Sequence, residues 1–83
     1  MVFIDKKLYA EIIEHAKLGY PNEVCGLIAG KSGRVEKVFS MKNVSDSPRL
    51  CYFMEAKEQF SVMKEIRNLG LEMVGIYHSH AES

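Results

Sequence analysis

Polar and apolar positions alternate along this chain in a pattern that divides it into six elements. After Asp5, a residue suited to cap a helix, the apolar residues Leu8, Tyr9, Ile12, Ile13 and Ala16 recur at helical spacing and form one stripe. Gly19 and Pro21 mark the stop, which predicts a helix of about fourteen residues. His15 lies on the flank of the stripe and reads as a boundary residue with a structural role. Cys25-Gly26-Leu27-Ile28-Ala29-Gly30 is a short apolar run between turn-forming residues and predicts a buried strand. Arg34–Phe39 follows at once, so a hairpin around Lys31-Ser32-Gly33 is expected. Asn43–Arg49 reads as a loop and Leu50–Met54 as a short strand.

From Glu55 to Leu69 the period is helical again. Phe60, Val62, Met63, Ile66 and Leu69 are expected on the buried face, with Gly70 closing the helix. Leu71–Tyr77 predicts a last strand, apolar on both faces and therefore expected at the centre of a covered sheet, where Gly75 would admit a close neighbour. Helix, strand, strand, strand, helix, strand makes an α/β domain: a mixed sheet flanked by helices.

Eighty-three residues suffice for one small domain, expected over 1–83. A chain of this size buries only roughly 60–65% of its unfolded surface, so a metal ion or additional chain would add needed stability. Eleven basic residues balance eleven acidic ones, which gives no electrostatic pull toward nucleic acid or a membrane surface. No apolar run approaches the length of a membrane span, and the N-terminus lacks the features of a signal peptide, so a cytoplasmic location is expected. Cys25 and Cys51 lack close metal- or redox-motif spacing and read as reduced, mostly buried hydrophobes. A nucleophilic Cys25 is the remote alternative, since Val24 and Leu27 beside it favour a buried thiol with a raised pKa.

The chemistry concentrates at the end of the chain. In an extended strand, residues two apart share a face, so His78 and His80 of Tyr77-His78-Ser79-His80 present two imidazoles side by side. That pair suits a zinc ion, and a nearby carboxylate could then serve as general base. Spacing alone does not choose that carboxylate among Glu23, Glu55, Glu58 and Glu72. Nor do two imidazoles complete a catalytic zinc site, which usually has three protein ligands.

Two segments, Tyr20–Gly30 and Gly70–His80, resemble the JAMM metalloprotease family, also called MPN+ or Mov34/MPN/PAD-1. Its signature is a Glu at the start of a strand, a later His-Ser/Thr-His, seven residues, a Ser, two residues, and an Asp. The resemblance covers essentially the whole chain, and Ser47-Pro48 and Leu69-Gly70-Leu71-Glu72 also match the stand-alone bacterial members. It implies a cytidine-deaminase-like α/β fold, a Zn2+ cofactor, His78 and His80 as metal ligands, Glu23 as general base, and Ser79 as a structural residue on the opposite face. The implied substrate is the C-terminal tail of a ubiquitin-like sulfur-carrier protein, held as an added strand. The Ser and Asp of the signature would fall beyond Ser83, so the chain is expected to hold the front half of a C-terminally truncated site. Ala81 stands where the family has Pro. The competing class is a non-catalytic MPN interaction module. Oligomeric state is not legible.

Overall fold

The computed structural model describes residues 2–80. Its elements are α1 (Lys6–Gly19), β1 (Cys25–Lys31), β2 (Arg34–Met41), α2 (Ala56–Asn68) and β3 (Glu72–His78). The Asp5 carboxylate accepts from the Leu8 N–H at 2.9 Å and so starts α1. At the other end of the chain, α2 closes in a Schellman arrangement. Gly70 takes φ +75°, its N–H donates to the Arg67 carbonyl, and the Leu71 N–H donates to that of Ile66, both at 3.0 Å.

The three strands form one antiparallel sheet in the order β2-β1-β3. Among the described residues, the parallel contribution is limited to a bridge between Phe3 and Arg34. The β1–β2 hairpin turns on two residues, Ser32 and Gly33, with φ of 53° and 79°. Both values being positive fits a type I′ turn, whose twist matches the flanking strands.

Several sequence expectations need correcting. β1, not β3, is the central strand. Cys25, Leu27 and Ala29 of β1 are buried, whereas β3 pairs only with β1 among the described residues and leaves Met73 and Ile76 exposed. A strand apolar on both faces does not by itself reveal which strand lies inside. Nothing else of the described chain comes near the open side of Gly75. The close approach occurs instead at Gly26, where a methyl group would overlap the Tyr77 ring and the Phe39 carbonyl.

Leu50–Met54 forms no strand. Its turn is closed by the Leu50 and Cys51 N–H groups on the Ser47 carbonyl, and a single backbone bond, Val44 N–H to Phe53 C=O, stands where a ladder was expected. Leu50 and Phe53 point outward, and Met54 alone of the segment is buried.

The buried face of α2 runs through Val62 and Ile66, with Phe60 75% exposed and Met63 and Leu69 also exposed. Apolar residues span about half the circumference of this helix, so their pattern leaves the contact line open.

One helix covers each face of the sheet. On the α2 side, Cys25, Leu27, Met41 and Met54 form the core, with Phe39, Tyr52 and Val62 packed against it. On the α1 side, His15 Nδ1 lies 2.8 Å from the Tyr77 hydroxyl. Burial lowers the His15 pKa. It also pushes the Tyr77 hydroxyl up to about 12, helped by the charges of Cys25 and Glu11. His15 is thus the boundary residue expected. Cys25 is fully buried, and burial, with Glu58 nearby, pushes its thiol up, as a packing role requires. Cys51, expected to be mostly buried, is exposed; both thiols are free.

Candidate metal centre

Antiparallel pairing of β1 with β3 brings the two ends of the sequence together. Cys25 lies opposite His78, so the residues just before β1 face those at and just after the end of β3. Glu23 sits two residues before Cys25, and its side chain therefore falls on the same side as Cys25 and His78. Ligand atoms of Glu23, His78 and His80 all lie within 4.8 Å of one another. Glu23 is only 4% exposed, while both histidines face solvent. The imidazoles meet edge to face with ring centroids 4.6 Å apart, and the Tyr52 ring stacks on His78 at 4.7 Å.

The other three carboxylates weighed with Glu23 are placed elsewhere. Glu55 stands at the N-cap position of α2 without a side-chain capping bond, Glu58 accepts from the Lys42 N–H at 3.0 Å, and Glu72 pairs with Gly30 at the opposite end of β3. Of the four, topology brings Glu23 to the histidine pair.

The main chain around Glu23 is held from two sides. The Glu23 N–H donates to the Pro48 carbonyl at 2.7 Å, and the Glu23 carbonyl accepts from Asn43 Nδ2 at 2.8 Å. Val24 and Ser79 bond reciprocally: the Val24 N–H donates to Ser79 Oγ at 2.9 Å, and the Ser79 N–H donates to the Val24 carbonyl at 3.0 Å. Ser79 therefore turns away from its flanking histidines and ties their segment to that of Glu23. Nothing in the sequence marks Asn43 or Tyr52. Each is an ordinary loop or strand residue by type, and no spacing rule marks a side chain whose partners lie in another segment.

Two imidazole nitrogens and one carboxylate are donors suited to zinc, and their separation leaves room for an ion or a water among them. Glu82 and Ser83, close in sequence to the histidines, lie outside the described residues. So does Ala81.

A cleft of about 470 Å³ opens beside His80, with Ile13, Ala16 and Tyr20 on its α1 wall. Among the described residues, no helix is long and apolar enough to cross a membrane.

Comparison with known proteins fits this geometry. The desampylase of Haloferax volcanii is 38% identical over 78 residues, covering 87% of this chain and 56% of that protein. The CysO-cysteine peptidase of Mycobacterium tuberculosis is 33% identical over 82 residues, covering 96% of this chain and 56% of the relative. The chain thus spans about half the length of these curated relatives. A protein of Desulfitobacterium hafniense solved in solution superposes with a TM-score of 0.85 at 35% identity, covering 98% of this chain and 57% of the other. The profile described as prokaryotic homologs of the JAB domain matches residues 5–83, and the chain belongs to that family.

Proposed function

We propose that this chain carries the histidine pair and the general base of a zinc-dependent hydrolase. Its substrates would be peptide or isopeptide bonds at the C-terminal tail of a ubiquitin-like, sulfur-carrier type of protein. The observation that carries the reading is the meeting of a buried Glu23 with His78 and His80, more than fifty positions apart in sequence, within 4.8 Å. The names of the relatives, a desampylase and a CysO-cysteine peptidase, point to cleavage at the tail of a small protein.

His78 and His80 would hold the ion, their rings fixed by mutual edge contact and by Tyr52. When bound, zinc supplies a Lewis-acid charge that acidifies water and polarises a carbonyl. Glu23 takes the proton of the attacking water and hands it to the departing amine. Its anchored main chain keeps the carboxylate at one place during both transfers. The cleft beside His80 offers an apolar wall to an extended tail. A third ligand and an oxyanion donor, the Asp and Ser of the family signature, would come from chain beyond Ser83.

The test is zinc content together with hydrolysis of a Gly-Gly-tailed ubiquitin-like carrier joined to cysteine or to a lysine side chain, using the protein with whatever chain follows Ser83. Chelator-sensitive cleavage after Gly-Gly is expected, and His78→Ala or His80→Ala should lose both the metal and the activity. Cleavage that survives chelation but stops on thiol alkylation would overturn the reading. So would tight binding of the carrier without turnover by the zinc-loaded protein, the behaviour of an interaction module.

A further inference from the structure

On the hydrolase reading, we propose that Asn43 is a positioning residue for the reaction, its amide holding the backbone of Glu23 in place of a sheet ladder. The regular pairing of β1 with β2 ends at Cys25 opposite Met41. Continued by two residues, the same register would set Glu23 against Asn43. There the ladder stops, and the Asn43 side chain takes over.

An asparagine amide offers two donor hydrogens and an oxygen that can accept twice. Asn43 uses all four. Nδ2 donates to the Glu23 carbonyl at 2.8 Å and to the Cys51 carbonyl at 3.1 Å. Oδ1 accepts from the Ser45 N–H at 3.0 Å and from the Phe53 N–H at 3.1 Å.

Two consequences follow from those partners. The Glu23 main chain is fixed by the 43–53 segment at both its groups, since its N–H goes to Pro48 in the same segment. The bonds to Cys51 and Phe53 also bracket Tyr52, the residue stacked on His78. One amide thus sets the proposed base and the support of one proposed metal ligand in a common frame. Asn43 itself touches no reacting group and would act on the rate through Glu23.

Asp has the same shape as Asn but would turn an acceptor oxygen toward two carbonyls. Gln keeps the chemistry and displaces it by one methylene. Asn43→Gln should retain zinc and KM while kcat falls roughly 10- to 100-fold, the range for a misplaced catalytic group. Asn43→Asp should lose at least as much.

The decisive readout is the same change made in a Glu23→Gln background. A residue acting through the Glu23 carboxylate adds little there, less than about twofold, because the group it aligns is already gone. The same loss in both backgrounds, or unchanged kcat in a folded Asn43→Gln, would overturn the proposal.

The wild-type protein gives a readout independent of activity and of variant folding. In the metal-free state, the Asn43 Nδ2 protons should exchange slowly with solvent and show scalar coupling to the Glu23 carbonyl carbon. Fast exchange without that coupling would also overturn it. Should Glu23→Gln keep wild-type turnover, the general-base role of Glu23 fails instead, and the coupling still reports whether the Asn43 bond exists.

Discussion

Replacing Ser79 by Ala removes one atom, and the structure sets what that atom is worth. Ser79 Oγ accepts from the Val24 N–H at 2.9 Å, and Val24 is 7% exposed. Without the hydroxyl, that N–H has little access to water as a substitute partner. Leaving a buried donor unmet costs about 1–3 kcal/mol. The return bond, from the Ser79 N–H to the Val24 carbonyl, survives because it is main chain to main chain, so the lower half of the range, about 1–2 kcal/mol, is expected. With a urea dependence of roughly 1–3 kcal/mol per molar, the midpoint of unfolding should fall by roughly 0.3–2 M. Measuring with a chelator present keeps metal binding from adding to either side. Ser79→Thr keeps the hydroxyl and should stay within about 0.5 kcal/mol of the parent. If Ser79→Ala is equally mild, the clamp between the Glu23 and histidine segments is absent, and the positioning role assigned to Ser79 is wrong.

Two further outcomes test the fold around the site. Leu27→Ala empties a nearly fully buried position on the central strand and should cost about 2–5 kcal/mol by denaturant unfolding, whereas Phe60→Ala, on an exposed face, should cost well under half of that. Acidification should weaken the metal-free protein through His15, whose pKa burial lowers in the fold. The unfolded chain takes up the proton first, so stability is lost as pH falls from about 6.5 through the lower folded value and levels off beneath it. In His15→Gln this part of the slope should vanish, as read from urea midpoints at several pH values.

Local signals were enough for much of the architecture. Asp5 and Gly70 mark helix ends through capping chemistry that acts within a few residues, and Ser32-Gly33 encodes its turn by tolerating positive φ. What could not be read depends on distant partners. β3 is apolar on both faces, yet it pairs on one side only among the described residues. Leu50–Met54 has strand-like composition, but the Asn43 side chain takes the Phe53 N–H that a neighbouring strand would have claimed.

The candidate site divides the same way. His78 and His80 stand out by their spacing on an extended segment. Spacing leaves Glu23 among four carboxylates; β1–β3 pairing places it beside the histidines and Glu72 at the far end of β3, while Glu58 bonds Lys42. Asn43 and Tyr52 carry no sequence mark, because their roles lie in hydrogen bonds and ring contacts made across the fold.

The central claim is that Glu23 moves a proton while His78 and His80 hold the metal. Turnover per bound zinc in Glu23→Gln, on a Gly-Gly-tailed carrier conjugate, tests it most directly. Glutamine keeps the size of the side chain but cannot accept the proton. The account predicts full zinc occupancy with turnover reduced by roughly 10²–10⁴, the usual contribution of a general base. Near wild-type turnover at full occupancy would contradict it and reduce Glu23 to a buried structural carboxylate.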